Sequence, residues 1–301
     1  MRDYFKLLRL PYQFQLGPIY CWGFLLASGD LVPWQDAWRF LAVFLLFHIG
    51  AFGGLTALNS FYDRDEGPIG GMWKPPPVPR RLWHFAWIVQ IGGLALLLPF
   101  GLALALIYAG ILLLSLGYSH PRTRWKGHPF KSLAVVGVGQ GVLDFTAGAF
   151  TARAGEGLVW NPGLWCGIGG ATLTVLAFYP LTQLYQLSDD TMRGDHTVAA
   201  WLHASGERRA NGGRTVIFHF TRLLFVMGSL CNTLALWLAG ELILAIALGT
   251  LSVVPLLYLA QWKRDRDASQ ATDFARIHFL MRAMAVGFGG FIAVVLLRGG
   301  L

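Results

Sequence analysis

Asn59 and Asp63 stand four residues apart, and Asp65 and Glu66 follow at once, so an amide and a carboxylate share one helical face beside two further acids. Gln186 and Asp190 repeat that amide–carboxylate spacing, with Asp189 and Asp195 close by. Both groups offer oxygen donors only, a set that suits Mg2+, which keeps several waters and shares its coordination sphere with substrate phosphates. Both follow long apolar blocks and so fall at helix C-termini, where the carbonyl ends are already negative and clustered acids call for a cation. Two such clusters can form opposite walls of one pocket. Metal ions held there would lower the charge on a departing diphosphate and promote its loss from an allylic carbon. The plainer reading of the first cluster is a solvated loop neutralised by Arg64 and Lys74.

Two more features bear on chemistry. The segment from Tyr118 to Pro129 holds His120, Arg122, Arg124, Lys126 and His128 with no acid. Its arginines could grip terminal phosphate oxygens through a bidentate fork and its lysine as a point charge, although topology alone also places bases in such a loop. Asp144 lies in the Gly-rich stretch Gly139–Gly148, inside an apolar block. A carboxylate there is a functional candidate that would orient an acceptor hydroxyl or take a proton. Pairing with Arg222 or Arg282 is the structural alternative.

The elements that must position these residues are membrane helices. Of 301 residues, 55% are hydrophobic and only 13% charged, too few polar groups to cover a soluble globule of this size. The apolar residues fall into blocks near the roughly 20 residues that cross a hydrocarbon core. About nine are expected, at 12–30, 38–58, 82–100, 102–118, 132–151, 163–186, 215–238, 240–261 and 276–297. The fold class is therefore all-α, a polytopic bundle forming one domain over 1–301. Pro99-Phe100-Gly101 reads as the tight turn of a helical hairpin. The start of the chain looks like a retained first helix rather than a cleaved signal. Cys21, Cys166 and Cys231 lie inside apolar blocks without ligand spacing and read as packing residues.

Nine spans place the loops alternately on two faces, and the basic residues divide sharply between them. The N-terminus supplies Arg2, Lys6 and Arg9. Four loops supply four each: Arg64, Lys74, Arg80 and Arg81; Arg122, Arg124, Lys126 and Lys131; Arg193, Arg208, Arg209 and Arg214; Lys263, Arg264, Arg266 and Arg276. Arg39, Arg153 and Arg298 fall on the other face. The bias predicts an integral cell (inner) membrane protein with a cytoplasmic N-terminus and all three polar loops facing the cytoplasm. Anionic headgroups account for the net charge of +8, and no nucleic-acid partner is needed. Trp34, Trp38, Trp73, Trp83, Trp125, Trp160 and Trp262 sit near predicted helix ends, as interfacial belts require. The run from Tyr258 to Asp267 reads as a solvated turn. Phe52, Phe145 and Tyr179 are candidates to stabilise an allylic cation through their ring faces.

In order and type, Asn59 with Asp63, then Tyr118, Arg124 and Lys126, then Asp190 with Gly194, the sequence resembles the UbiA superfamily of intramembrane prenyltransferases. That resemblance implies a nine-helix fold and a Mg2+-dependent transfer of an isoprenoid group from its diphosphate to a lipophilic acceptor. It implies that Asn59, Asp63 and Asp190 ligate metal or diphosphate, that Lys74, Arg124 and Lys126 contact phosphate, and that Tyr118 touches a phosphate oxygen or the departing group. Asp65, Glu66, Asp189 and Asp195 extend the metal set, and Gln186 the diphosphate set. Two family aspartates are replaced, by Gly67 and Gln186. Those departures keep a membrane terpene cyclase as the rival, in which the substrate's own double bond attacks. A cation transporter is the rival from another class, expected to show broken helices and polar residues at the bilayer midplane.

Overall fold

The computed structural model describes residues 1–28, 37–153, 157–208, 212–264 and 269–297. Trp34, Arg209, Asp265, Arg266, Asp267 and Arg298, used above, lie outside them. Among the described residues the chain is helical throughout, apart from loops and an isolated bridge between Ile69 and Met72. The short α1 (Arg2–Leu7), α2 (Leu10–Gln13) and α3 (Gly17–Ser28) come first. α4 (Ala37–Leu45), a π-helical stretch (Leu46–Gly53) and α5 (Gly54–Asp63) then form one long span. α6 (Leu82–Leu97) and α7 (Leu102–Ser119) follow as a hairpin. α8 (Pro129–Val136), a second π-helical stretch (Gly137–Leu143) and α9 (Asp144–Ala152) make the next span, then α10 (Pro162–Leu184). The short α11 (Leu187–Met192) and α12 (Val198–Arg208) precede α13 (Gly213–Leu238), α14 (Leu242–Leu251) with α15 (Val253–Arg264), and α16 (Gln270–Leu297).

Eight of these helical runs, counted among the described residues, are long and apolar enough to cross a membrane. The remaining expected block, 12–30, holds α3, which starts one residue before Pro18 because proline is tolerated in a first turn and not beyond it. The expected hairpin turn is present, with Gly101 at φ 126°, a conformation that glycine adopts without strain. α12 had no counterpart in the sequence reading. The outward faces are apolar where a soluble protein would be polar: Ile88, Leu106 and Leu113 are 71%, 63% and 69% exposed. Such faces suit lipid.

The helices divide into two compact units. In the first (1–124, 143–159 and 285–301), Tyr20, Phe47, Phe52, Leu104, Tyr108 and Ile111 are core residues. There α3 crosses α9 at two glycines. A Cβ on Gly23 would meet the Phe145 carbonyl, and one on Gly148 the Tyr20 carbonyl. Both obstacles are backbone, which cannot rotate away. Gly148→Val is expected to lower stability by at least about 3 kcal/mol, the upper end of the usual overpacking cost. Thermal unfolding in detergent checks it, with Gly92→Ala, in open space on α6 and at ordinary helical backbone, as the milder comparison.

The second unit (125–142 and 160–284) is built on α10 against α13, where Gly170 and Gly228 permit close approach. Arg214 grips Asp273 through two nitrogens at 2.7 and 2.6 Å, and the Trp262 indole donates to the same carboxylate at 3.1 Å. This corrects the sequence reading of Trp262. It is fully buried rather than interfacial, because Asp273 supplies its N–H with a partner. The part of the Tyr258–Asp267 run that is described is likewise helical, with Leu259 buried beside Trp262.

Candidate functional site

The last turn of α5 carries Asn59 and Asp63 as expected. The Asp63 side chain is only 4% exposed, and Arg124 Nη1 lies 3.7 Å from its Oδ1. Asn59 accepts a hydrogen bond from the Ser119 hydroxyl at 3.2 Å, which ties this turn to the end of α7. Arg9 is buried and donates from Nη2 to the Ser60 hydroxyl at 2.7 Å.

Three non-glycine residues have positive φ among the described residues: Arg9 at 51°, Arg64 at 51° and Arg124 at 38°. All three attend the same helical turn. Arg9 bonds Ser60, Arg64 caps α5 and donates its N–H to the Ser60 carbonyl at 3.1 Å, and Arg124 pairs with Asp63. Left-handed backbone costs a non-glycine residue of order 1 kcal/mol or more and persists where its surroundings over-determine it. Arg124 is paired with the Asp63 carboxylate, Arg9 is bonded to Ser60 and the Arg64 guanidinium lies over the Phe61 ring, so three strained arginines bring positive charge to this helix C-terminus. That charge offsets the carbonyl ends and can attract phosphate oxygens.

The other sequence-predicted residues of this unit are placed less centrally. Asp65 is half-buried, whereas Glu66 and Lys74 are exposed in the loop after α5. Tyr118 is half-buried at the end of α7. Asp144 lies deep in the membrane-spanning part, in the first turn of α9. It is fully buried, and neither carboxyl oxygen has a hydrogen-bond partner among the described residues. The pairing with Arg222 or Arg282 considered from sequence is thus not made.

In the second unit, α10 ends at Leu184 and α11 restarts at Leu187 after Gln186, so Asp190 sits on a separate short helix rather than on an extension of α10. Its side chain is 9% exposed and accepts from Arg193 Nη2 at 2.9 Å. Arg193 Nε also lies 3.9 Å from Asp195. The Asp195 N–H donates to the Asp190 carbonyl at 2.9 Å, a turn that Gly194 closes at φ 74°. The next residue, His196, donates its N–H to the Gly127 carbonyl at 3.0 Å, which fastens the acidic turn to the segment holding Lys126. Burial lifts the Asp190 carboxyl above the ordinary carboxylate range. The hydrogen bond and charge of Arg193 and the charge of Lys126 pull it back, while Asp195 pushes it up. Asp189 is half-buried beside the Ser188 hydroxyl, 3.5 Å away.

Both segments therefore join oxygen donors to fixed cations: Asn59 and Asp63 with Arg124, and Asp190 and Asp195 with Arg193 and Lys126. Among the described residues no three acids, histidines or cysteines form a ready metal cage. A hard cation there would need further oxygens from water or substrate, the habit of Mg2+. Sequence reasoning passed over Arg9, Ser60, Ser119 and Arg193 as site residues. Ser60 and Ser119 adjoin the chosen Asn59 and Tyr118, and Arg193 follows Asp190 at helical spacing. Arg9 gave no local signal.

A model of the UbiA prenyltransferase family matches residues 16–282. Among solved structures, a UbiA homologue from Archaeoglobus fulgidus bound to GPP and Mg2+ shares 16% identity over 97% of this chain and 99% of that one, with a TM-score of 0.66. A digeranylgeranylglyceryl phosphate synthase shares 16% over 97% of each chain at 0.61. An apo UbiA homologue from Aeropyrum pernix K1 shares 18% over 94% of this chain and 97% of that one at 0.59. No curated protein matches.

Proposed function

This chain belongs to the UbiA prenyltransferase family, and we propose that it transfers an isoprenoid group from its diphosphate to a lipophilic acceptor within the membrane, in a Mg2+-dependent reaction. The observation that carries the reading is the buried Asp63 at the end of a membrane-spanning helix, paired with Arg124 on a turn that Arg9 and Arg64 also bond through Ser60. Prenyl diphosphate is a strongly charged head on an apolar tail. Fixed cations and acids at the rim of an apolar bundle match both ends of it.

In this reading Asn59, Asp63, Asp190 and Asp195 supply oxygen donors to Mg2+, and the half-buried Asp65 and Asp189 extend the set. When bound, Mg2+ neutralises diphosphate oxygens and makes the diphosphate a better leaving group. Arg124, Lys126 and Arg193 pair with the acids in the absence of substrate and turn to phosphate oxygens in its presence. The strained Arg124 backbone holds its guanidinium close to Asp63 rather than free in solvent, so little ordering is left for the moment of binding. Tyr118, at the end of α7 beside the Ser119 that bonds Asn59, donates to a phosphate oxygen. The GPP and Mg2+ bound to the Archaeoglobus fulgidus homologue support the substrate class. The basic bias of the loops supports a cell-membrane location with the acidic segments facing the cytoplasm.

The test is to incubate purified protein with geranyl and geranylgeranyl diphosphates, with and without extracted host lipids as acceptors. Diphosphate release is expected to require acceptor, to stop when EDTA removes Mg2+, and to return when Mg2+ is restored. A cyclic hydrocarbon formed without acceptor would replace this reading with a membrane terpene cyclase. Failure of every diphosphate to turn over would favour a transporter.

A further inference from the structure

Beside α5, and apart from the acidic residues, lies a pocket of about 560 Å3 formed by α1, α2 and the loop after α5. Arg2, Lys6 and Arg9 bring three cations to it, while Phe5, Leu10 and Met72 give it apolar walls. Its volume falls within the range of small-ligand sites. Arg2, Lys6 and Arg9 recur at i, i+4 and i+7, and Asp3, 3.9 Å from Lys6, is the one acid of α1. Cations therefore outnumber the single acid around the pocket, whose lining surface is mostly apolar.

The position of the pocket narrows the ligand. Leu7 and Leu8 pack with Ala57 and Leu58 of α5 and Leu82 and Ala86 of α6, and Tyr4 and Phe5 meet the Phe85 ring edge-on at 5.3 and 5.7 Å. The segment thus lies across the end of α5 and the start of α6, at the level where two spans leave the membrane. Met1 and Phe5 are 91% and 54% exposed, so apolar side chains flank the cations on the outside. A short basic and aromatic helix at that level has the character of an interfacial helix. A ligand that meets Arg2 and Lys6 together with an apolar wall at this depth is an amphiphilic anion.

We infer that the Arg2–Lys6–Arg9 pocket binds the headgroup of one anionic phospholipid. The phosphate meets the exposed Arg2 and Lys6, and the glycerol and upper acyl chain run past Phe5, Leu10 and Met72. The site also touches the machinery of the first unit. Arg9 donates to Ser60, which lies between Asn59 and Asp63 on α5. An occupied pocket neutralises the basic cluster and steadies Arg9 in its left-handed conformation, and with it the last turn of α5. The inference concerns lipid binding and stability, and stands whatever reaction the chain performs.

The intact protein is placed in nanodiscs of phosphatidylcholine alone or with phosphatidylglycerol, and after extraction its retained lipid is read by native mass spectrometry. Wild type is expected to keep one phosphatidylglycerol and to unfold at higher temperature in the anionic discs. The double variant Arg2→Gln/Lys6→Gln, which leaves the Arg9–Ser60 bond in place, is expected to retain at least tenfold less and to lose the temperature difference. Equal retention of phosphatidylcholine, or retention unaltered in the double variant, would mean annular lipid only and overturn the inference. A matching rise in unfolding temperature with inorganic phosphate in detergent would show a free-phosphate site and overturn the lipid assignment.

Discussion

Asp63→Asn is expected to lower prenyl transfer by about 10²–10³-fold, or roughly 3–4 kcal/mol of transition-state stabilisation, while the protein stays folded. The amide keeps the shape of a side chain that is only 4% exposed, so packing around it is conserved. What is lost is the negative charge that Arg124 faces, on the turn that Arg9 and Arg64 also bond. Arg124 is 35% exposed in its side chain and can rehydrate once its partner is neutral, so the stability change is expected to stay below about 1 kcal/mol. Asp190→Asn should lose activity on the same scale, since it removes the carboxylate that Arg193 and Lys126 surround. Glu66→Gln should lose far less, because Glu66 is exposed. Turnover, Mg2+ dependence and thermal unfolding measured on all three variants check the ranking. A drop for Glu66→Gln equal to that for Asp63→Asn would sink the assignment of the buried carboxylate as the principal one.

That ranking was only partly legible in the sequence. The spacing of Asn59 and Asp63 and the end of an apolar block were enough to place both on the last turn of a span, because helical period and span length are local properties. Nothing local distinguishes Asp63 from Asp65 or Glu66. The difference arises when Arg64 turns left-handed and sends the chain out of the helix, which leaves Asp63 inside and Glu66 in solvent. The part played by Arg9 was also hidden. Arg9 reaches Ser60 from fifty-one residues away, through a tertiary contact that no motif records. In the second unit the break between Leu184 and Leu187 put Asp190 on its own helix, a boundary that an apolar run ending in polar residues does not define. Trp262 failed for a related reason: its partner Asp273 lies on the next helix, and only the packed structure reveals that the indole has somewhere to donate inside.

Asp144→Ala is expected to raise the stability of the protein and to cost it most of its acceptor-dependent turnover. Asp144 is fully buried, and both its oxygens lack hydrogen-bond partners among the described residues. An orphaned buried polar group of this kind destabilises by about 1–3 kcal/mol, and alanine removes it while leaving the best helix former in the first turn of α9. The space left is smaller than that from deleting a large apolar side chain, and the glycine-mediated crossing of α3 on α9 does not depend on it. A residue that costs stability and is kept inside the membrane is best explained by work on a ligand. Directly before it the helix widens into a π-helical stretch, Gly137–Leu143, a distortion frequent at functional sites. Should Asp144 serve the acceptor, it would accept the hydroxyl hydrogen or the departing proton. If so, Asp144→Ala loses transfer by about tenfold to a hundredfold, with the loss in the acceptor's KM and kcat and not in the binding of prenyl diphosphate. Asp144→Glu should recover part of the rate if a carboxylate is what the acceptor needs. Raised stability with transfer intact would reduce Asp144 to an uncompensated packing defect, and lowered stability would show that its oxygens have partners in the membrane that the packing of α3 against α9 does not reveal.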